Sequence, residues 1–453
     1  MTFSADIIAS ATGGVWKNCV PESIGGVFTD TRIDGSGRIF FALAGERFDA
    51  HDFLDKAVSA CAAALCVRRG AAVPDGIPVL EVEDTLKAYQ SLGAYCRHSI
   101  PELKTAAVTG SVGKTSVKEM LRAIFSFAAG KDAVLATEGN TNNHIGVPQN
   151  LLKLSGSHKF AVIEMGMSHP GEILPLTLMA KPDVAIVNSI APCHIEHLGS
   201  LDGIAVEKGD IFKGLSSSGT AVIPDGLPQT EILVKAAYPH RTVFFGTGEN
   251  CDVRAAYLGG NISGSTFELA FKNGKTFRIN WHLSGRHQAV NAASAAAAAW
   301  SLGVSPEDIC AALPLTVLPG MRSKITVLDD VTFINDAYNA NPASMKASLD
   351  YLEEFAVPDK LVLLLGGMLE LGENSDAMHS QLLDLAQKRF PGAKIFAFGA
   401  PFAAAAHKYK VPFCEKPADF ADRLTGIIRK GDTVFAKGSR GIGMENALPQ
   451  QAR

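Results

Sequence analysis

The sequence lacks the features that mark secreted, membrane-spanning and nucleic-acid-binding proteins. Its 453 residues include only eight cysteines, scattered without a C-x-x-C pair, which argues against a disulfide scaffold and favours reduced thiols. It has no run of about 18 apolar residues, and the opening MTFSADIIASATGG has no basic start or continuous apolar core of a signal peptide. Lys and Arg (42) do not exceed Asp and Glu (46), so nothing indicates a nucleic-acid surface. We therefore expect a cytoplasmic protein with no nucleic-acid partner and no membrane insertion.

The composition is that of a globular chain long enough for several domains. Hydrophobic residues make up 47% and charged residues 19% of the sequence, which argues against disorder. The length allows about three domains of roughly 150 residues each. From the order of predicted elements we expect a small α/β domain over 1–101, a central domain over 102–313 and a third domain over 314–453.

The three segments differ in their hydrophobic patterns. In the first, the strands RIFFALAG and ALCVRRG enclose a helix predicted over residues 51–65. In the central segment, apolar strands with little alternation predict a doubly wound, mostly parallel sheet with helices on both faces. Glycine and asparagine turns after Pro228 predict a β-rich part with hairpins. The last segment alternates strands and helices again, which predicts a Rossmann-like domain.

The stretch AVTGSVGKTSVKEML, residues 107–121, combines an apolar strand, a glycine-rich turn and the start of a helix. Such a turn directs backbone N–H groups and a helix N-terminus at one point, where an anion is favoured. Lys114 adds a positive charge, and Thr115 offers a hydroxyl group to a magnesium ion. A strict phosphate loop has four residues between its glycines, whereas only two separate Gly110 from Gly113. From these residues alone, an ordinary turn with a surface lysine remains an equal alternative.

Polar residues also stand at the C-terminal ends of two further predicted strands, where an open parallel sheet binds its ligand. Glu164 would complete a magnesium shell begun by Thr115, although a single acid at such a position more often faces water. The segment CHIEH, residues 193–197, brings a thiol, two imidazoles and a carboxylate together. Its spacing fits neither a metalloprotease helix nor paired cysteine ligands of zinc. A magnesium-nucleotide site therefore suits His194 better than a zinc site.

Two other segments leave their alternatives open. The loop EGNTNNHIGVP, residues 138–148, places Asn142 and Asn143 side by side, and this density of amides exceeds what a turn needs. Turn chemistry nevertheless remains an equal explanation. Lys208 falls in a predicted helix that begins near Asp202, and a lysine there is usually a solvated surface residue.

Taken together, these stretches resemble the Mur ligase family, which forms amide bonds with ATP in peptidoglycan synthesis. The resemblance covers nearly the whole chain in the family's order and includes a shortened phosphate loop. Its motifs here are TGSVGKTS, EGNTNNHIGVP, IEMGMSHPGEI, NSIAPCHIEHLGS, EKGDIF, GRHQAVNAASAAA and PGMRSK. The stretches INDAYNANPASMKASLD and VFAKGSRGIGME are similar to the family member that adds a dipeptide rather than a single amino acid.

The resemblance implies a nucleotide site shared between the second and third domains. Asn291 would face adenine, while Arg322 and Asp336 would close on the phosphate and the ribose from the third domain. The ATP phosphates would bind the loop residues Gly110, Ser111, Val112, Gly113, Lys114, Thr115 and Ser116. The resemblance also implies that the substrate carboxylate is activated as an acyl phosphate. Because this intermediate hydrolyses in water, we expect the third domain to close over the site.

The resemblance also implies a metal site and a set of catalytic residues. Two magnesium ions are expected, one of them held by a carbamate formed on Lys208, which reverses the solvated interpretation of that lysine. The implied metal ligands are Thr115, Glu164, His194 and Lys208. The implied catalytic residues are Lys114, His194, Lys208 and Arg322.

The implied substrates are UDP-N-acetylmuramoyl-tripeptide and D-alanyl-D-alanine. Asn142 and Asn143 would lie at the tripeptide end, and Tyr338, Asn339 and Asn341 in the third domain would also contact substrate. The uridine end would bind the similar stretch FTDTRIDGSGRIFFALAGERFDAHDF, in particular Thr31, Arg32, Gly45, Glu46, Arg47 and Asp49. Position 31 departs from the commoner serine but keeps the hydroxyl group. We expect a monomer.

Two alternative functions remain at this point. Folylpolyglutamate synthase resembles the same core and uses the same kind of intermediate, but it lacks a UDP-binding first domain, so residues 1–100 argue against it. A regulatory ATPase with a phosphate loop would hydrolyse ATP without forming an amide. Phosphate release that requires both the UDP-tripeptide and the dipeptide would separate the ligase from such a switch.

Overall fold

The computed structural model describes residues 2–45 and 48–453 and has three β-sheets that follow one another along the chain. Each sheet is mostly parallel and carries helices, so the predicted α/β class is confirmed. The expected boundaries near residues 101 and 313 lie between consecutive sheets and remain predictions. Within the described residues, no helix combines the length and apolar character that a membrane crossing needs.

The first sheet has the strand order β1-β5-β4-β3-β2, in which only β1 runs antiparallel to its neighbour. Its strands are β1 (Val15–Lys17), β2 (Val27–Phe28), β3 (Ile39–Phe41), β4 (Ala64–Arg68) and β5 (Val79–Val82). Its helices are α1 (Ala5–Thr12), α2 (Leu54–Ser59) and α3 (Thr85–His98). The helix predicted over 51–65 was too long, because Cys61 has a left-handed backbone (φ 65°) and Ala64 already pairs with β3.

The central sheet has nine strands in the order β14-β13-β12-β11-β10-β9-β6-β8-β7. Neighbours from β7 to β12 in the sheet are parallel. Strands β12, β13 and β14 form two antiparallel hairpins in the part where hairpins were predicted. The strands are β6 (Lys104–Thr109), β7 (Val134–Ala136), β8 (Phe160–Glu164), β9 (Val184–Val187), β10 (Thr220–Pro224), β11 (Arg241–Gly246), β12 (Val253–Asn261), β13 (Gly264–Phe271) and β14 (Thr276–Trp281).

Helices cover both faces of the central sheet. They are α4 (Lys114–Ala129), α5 (Gly146–Leu151), α6 (Ile173–Ala180), α7 (Ile195–Leu198), α8 (Leu201–Gly209), α9 (Thr230–Ala237), α10 (Arg286–Ser301) and α11 (Pro306–Ala312). Helices α4 and α10 share one apolar core, while α5, α6, α8 and α9 pack in another. The alanine run of α10 is buried throughout, because small side chains allow the helix to approach α4 and the sheet closely.

The third sheet has the order β15-β16-β20-β17-β18-β19, with β15 as its antiparallel edge strand. Its strands are β15 (Lys324–Leu328), β16 (Val331–Asn335), β17 (Leu361–Gly366), β18 (Lys394–Phe398), β19 (Phe413–Cys414) and β20 (Thr433–Lys437). Its helices are α12 (Pro342–Leu352), α13 (Ser375–Arg389), α14 (Ala403–Tyr409) and α15 (Ala421–Ile427). Asn341 caps α12 by accepting a bond from the Ser344 N–H at 2.8 Å, so α12 begins at the sheet end that faces the cavity described below.

Candidate active site

A cavity of about 530 Å³ lies where the C-terminal ends of β6, β8 and β9 face the third sheet. Residues of the central sheet and of the third sheet both line it. The lining includes the predicted residues Ser111, Val112, Gly113, Lys114, Thr115, Asn142, Asn143, Glu164, His194, Arg322, Asp336, Tyr338, Asn339 and Asn341. The folded chain therefore brings most of the predicted nucleotide, metal and tripeptide residues into one place.

The glycine-rich turn between β6 and α4 is held tightly by its neighbours. Gly113 has φ 81°, and a Cβ atom there would lie 2.3 Å from Asn188 Nδ2 and 2.5 Å from Asn291 Oδ1. The Val112 N–H donates to Ser189 Oγ at 2.9 Å. Only glycine fits this position, so the turn is a shaped loop at the N-terminus of α4.

Asn291 packs against this turn and hydrogen-bonds to Asn188, which also contacts the turn. Its Oδ1 accepts a bond from Asn188 Nδ2 at 2.9 Å, and its own Nδ2 donates to Gln288 Oε1 at 3.1 Å. Asn291, Gly110 and Ser116 do not belong to the cavity lining. The predicted contact between Asn291 and adenine stays a prediction.

Lys114 and Thr115 make different polar contacts at the turn. Lys114 Nζ donates to the Gly110 carbonyl at 2.7 Å, so the ammonium lies over the loop where a phosphate would be held. Thr115 Oγ1 accepts a bond from Arg322 Nη2 at 3.0 Å. The third sheet thus reaches the phosphate loop through Arg322.

Glu164 lines the cavity, and one of its carboxylate oxygens is buried without a hydrogen bond in the described residues. Its side chain is 1% exposed, and Oε1 accepts a bond from Asn142 Nδ2 at 2.9 Å. Its Oε2 has no hydrogen-bond partner within the described residues. A buried carboxylate oxygen is stable when a cation or donor meets it, so Glu164 and Thr115 fit a magnesium ion. No group of three or more His, Cys, Asp or Glu side chains suited to a metal occurs in residues 2–45 and 48–453.

His194 lies at the boundary between the central and the third sheet. Its backbone is left-handed (φ 53°), and its Nδ1 lies against the carboxylate of Glu370, which is also left-handed (φ 62°). This contact lowers the pKa of Glu370 below its ordinary value. Left-handed non-glycine residues are uncommon and concentrate at functional sites.

Lys208 is buried in α8 and is not a surface lysine. Its side chain is 1% exposed, and burial lowers its pKa from 10.5 to about 8, with Lys114 nearby acting in the same direction. Cys193, whose effect exceeds that of Lys114, and Glu207 act in the opposite direction. Both Glu207 oxygens already accept backbone bonds, from Gly171 and Ile173. The solvated interpretation of Lys208 was therefore wrong. An amine with this pKa is partly neutral near physiological pH and can act as a nucleophile.

The third sheet contributes a compact polar group around Asp336. Asp336 Oδ2 accepts a bond from Lys437 Nζ at 2.5 Å, and Oδ1 accepts one from the Ser323 N–H at 3.0 Å. The Arg322 guanidinium stacks over the Tyr338 ring at 3.7 Å from the ring centroid. Asp336 thus keeps one charged partner, and its predicted contact with ribose stays a prediction.

The predicted uridine residues lie apart from this cavity. Thr31 and Arg32 line a shallow recess of about 480 Å³ on the first segment, and Arg32 pairs with Asp30 at 2.6 Å. Asp49 accepts a bond from the His51 N–H at 2.9 Å, and the Gly45 N–H donates to the Phe48 carbonyl at 2.8 Å. The predicted residues Glu46 and Arg47 lie outside the described residues.

Among the residues at or beside the cavity that were not predicted from the sequence, Lys437, Asn140 and Glu370 make contacts that bear on the site. Lys437 ends the buried strand β20 and lines the cavity, and the rule that parallel strands present polar residues at their C-terminal ends identifies it. Asn140 precedes the predicted asparagine pair and also lines the cavity. Glu370 had no sequence signal, because its importance comes only from the contact with His194.

Comparison with known proteins gives consistent matches over the chain. The family model for the Mur ligase middle domain matches residues 108–299, and the model for the Mur ligase, glutamate ligase domain matches residues 321–440. The UDP-N-acetylmuramoyl-tripeptide--D-alanyl-D-alanine ligase of Haemophilus influenzae is 36% identical over 93% of this chain and 92% of its own length.

Solved structures agree with these matches. A crystal structure of MurF from Acinetobacter baumannii superposes with a TM-score of 0.90 and 35% identity, covering 99% of this chain and 98% of that one. The MurF ligase of Thermotoga maritima in complex with ADP gives a TM-score of 0.80 and 26% identity, covering 93% of this chain and 96% of that one.

Proposed function

This chain belongs to the Mur ligase family, and we propose that it joins D-alanyl-D-alanine to UDP-N-acetylmuramoyl-tripeptide at the expense of ATP, in the cytoplasmic synthesis of peptidoglycan precursors. The observation that carries this proposal is the single cavity that unites a phosphate loop, a buried unsatisfied carboxylate and Arg322 from the third sheet. The full-length similarity to ligases of this name supports the choice of substrates. We further propose that the chain acts as a monomer.

The first half of the reaction activates a carboxylate. The terminal carboxylate oxygen of the tripeptide attacks the γ-phosphorus of ATP, ADP leaves, and an acyl phosphate forms. Negative charge crowds at the phosphoryl group in this step, and Lys114 and Arg322 are the cations that the cavity offers to it. Magnesium would supply further charge neutralisation and alignment of the phosphates.

The second half forms the amide. The amine of D-alanyl-D-alanine attacks the acyl carbon, its proton is lost, and inorganic phosphate leaves with the former carboxylate oxygen. Tyr338, Asn339 and Asn341 line the third-sheet side of the cavity, where we place the dipeptide. Water must be kept out until the amine attacks, and the contact of Arg322 with Thr115 connects the third segment to the phosphate loop beside the reacting groups.

The proposed metal ligands rest on the resemblance, and the cavity lining supports three of them, Thr115, Glu164 and His194. Thr115 and Glu164 fit one magnesium ion, and His194 is the third proposed ligand. Lys208 is the proposed ligand of a second ion after its neutral amine adds carbon dioxide and releases a proton to give a carbamate. The burial and lowered pKa of Lys208 support this addition, because only the neutral amine reacts.

The remaining assignments concern the ends of the substrates. Asn142 and Asn143 line the cavity beside Glu164 and are placed at the tripeptide. Asn291 is assigned to adenine and Asp336 to ribose. The uridine end is assigned to the first segment, through Thr31, Arg32, Gly45, Glu46, Arg47 and Asp49.

Phosphate release tests the proposal against its two alternatives. The ligase should release phosphate only when ATP, UDP-N-acetylmuramoyl-tripeptide and D-alanyl-D-alanine are all present, and should yield one amide product per phosphate. A nucleotide switch would release phosphate from ATP alone. A folylpolyglutamate synthase would instead extend a folate with glutamate, and the five-stranded sheet of the first segment counts against that reaction.

A further inference from the structure

Tyr338 connects the third sheet with two different loops of the central sheet. It follows β16 in the third sheet, and its hydroxyl donates to Asn140 Oδ1 at 3.0 Å, in the asparagine-rich loop of the central sheet. Its ring lies 3.7 Å from the Arg322 guanidinium, and Arg322 donates to Thr115 in the phosphate loop. One aromatic side chain therefore contacts the asparagine-rich loop, residues 138–148, which we call the tripeptide loop. The same side chain reaches the phosphate loop through Arg322.

Further hydrogen bonds connect Asn140 to Asn142 and Glu164, which line the cavity. Asn140 Oδ1 also accepts a bond from Asn142 Nδ2 at 3.3 Å, and the same amide donates to Glu164 Oε1 at 2.9 Å. The Asn142 backbone N–H donates to the Asn140 carbonyl at 2.9 Å, and the Asn142 carbonyl accepts the Gly166 N–H at 2.8 Å. The position of Asn140 is thus tied to the group that includes the proposed tripeptide and metal residues.

The stacking geometry gives Arg322 a defined orientation. A guanidinium over an aromatic face is held by the ring quadrupole, and Arg322 Nε is buried without a hydrogen-bond partner within the described residues. The Tyr338 ring and the bond from Nη2 to Thr115 therefore support this arginine together. The guanidinium thus lies between the Tyr338 ring and Thr115.

We infer that Tyr338 is a positioning residue that couples occupancy of the tripeptide loop to the placement of Arg322 at the ATP phosphates. A tripeptide bound at residues 140–143 would hold Asn140 in place as the acceptor of the Tyr338 hydroxyl, and the stacked Arg322 would then stay against the phosphate loop. This inference rests on the proposed function and gives the Tyr338 hydroxyl a task other than contact with the dipeptide.

The coupling is measurable as the ratio of two dissociation constants. Calorimetry would give the dissociation constant of the non-hydrolysable β,γ-imido analogue of ATP without and with saturating UDP-N-acetylmuramoyl-tripeptide. The ratio is the constant without the tripeptide divided by the constant with it. The same coupling acts in both directions between the two ligands. We expect the tripeptide to tighten analogue binding in the unaltered protein. Tyr338→Phe keeps the ring and removes one neutral hydrogen bond, so the ratio should fall roughly fivefold.

Two further variants make the test specific. Tyr238→Phe removes a hydroxyl from a tyrosine that is 85% exposed, and the ratio should stay as in the unaltered protein. Asn140→Ala removes the acceptor on an exposed loop, and adding Tyr338→Phe to it should cause no further loss. Asn140→Ala also carries the test if Tyr338→Phe lowers the melting temperature.

The outcomes separate this inference from the proposed function. A ratio that changes less than twofold in Tyr338→Phe, or no coupling in the unaltered protein, overturns the inference. The inference is also overturned if the double variant Asn140→Ala, Tyr338→Phe loses more of the ratio than Asn140→Ala alone. If the unaltered protein binds no UDP-tripeptide or forms no amide, the proposed function itself fails.

Discussion

Lys208 shows how burial changes the chemistry of one residue. The ammonium form is disfavoured because the side chain is removed from water, and its pKa falls from 10.5 to about 8. Near pH 8 about half of the side chains are then neutral, by the definition of the pKa. A carbamate would replace this unfavourable cation with an anion that a magnesium ion can balance.

The pKa of Lys208 predicts how stability depends on pH when the lysine is unmodified. The folded pKa lies below the unfolded value, so the unfolded chain binds more protons between pH 8 and 10.5, and stability rises with pH in that window. Below pH 8 the full cost, about 3 kcal/mol, is present. In bicarbonate-free buffer, Lys208→Met should therefore unfold at higher urea than the unaltered protein at pH 7. Equal midpoints at pH 7, or a difference that persists at pH 10.5, would show that Lys208 is not a buried cation.

A chemical rescue experiment tests the carbamate itself. Lys208→Ala should be nearly inactive, because the proposed magnesium ligand is lost, and added acetate should restore part of the activity by filling the gap with a carboxylate. Initial rates of phosphate release with and without acetate measure this effect. Rescue by a small amine instead of acetate would mean that Lys208 acts as an unmodified cation.

Lys114 gives a prediction that separates chemistry from substrate binding. Lys114→Ala should lower the rate of ligation at least about 100-fold, the usual cost of removing a charge-stabilising donor, while UDP-tripeptide affinity changes little. Lys131→Ala, an exposed lysine after the same helix, is the matched control and should keep full activity. Calorimetry with the UDP-tripeptide and the phosphate assay measure the two properties. A parallel loss of binding and catalysis would place the UDP-tripeptide on the phosphate loop itself.

Among the elements, the turn between β6 and α4 has a tightly constrained backbone at Gly113. Gly113→Ala would combine a left-handed backbone with a Cβ atom inside the contact distance of Asn188 and Asn291. We expect a loss of about 1–3 kcal/mol of stability and loss of ATP-analogue binding. Gly130→Ala at the other end of α4 is the control, since it has φ 91° but no atom within 4 Å of its Cβ. Melting curves and analogue titrations that are equal for the two variants would contradict the close-packed turn.

The sequence predicted elements better than it predicted their side-chain contacts. Strands β6, β8 and β9 and the helices after them could be located, because buried parallel strands leave continuous apolar runs that end in polar residues. The predicted helix over 51–65 extended too far, since alanine has high helix propensity while strand pairing fixes residues from Ala64 onward. Periodicity also gave no sign that Lys208 is buried.

Contacts between distant segments lay beyond what the sequence alone could give. Glu370 meets His194 only because the third sheet lies against the central one, and neither residue stands in a local pattern that indicates a pair. Asn291 was placed by its motif, but its two bonds under the phosphate loop depend on the packing of α10 against α4. Such pairings are properties of the folded chain.

At the scale of the whole molecule, the first and third segments are attached to the central sheet in different ways. Buried Arg97 of α3 donates to the carbonyls of Ala180 and Lys181 and pairs with Asp183 at 3.2 Å. The third sheet instead makes polar side-chain contacts at the cavity, including Arg322 with Thr115. Buried contacts with several bonds resist opening more than partly exposed polar contacts with one bond, so we expect the third segment to move when substrates enter and products leave.

The central claim is that this cavity activates a carboxylate as an acyl phosphate. The most direct measurement uses UDP-N-acetylmuramoyl-tripeptide with oxygen-18 at both oxygens of its terminal carboxylate, together with ATP and D-alanyl-D-alanine in ordinary water. One labelled oxygen per turnover should appear in the inorganic phosphate, because the attacking carboxylate oxygen leaves with it. Phosphate without the label, or label in AMP, would contradict the account.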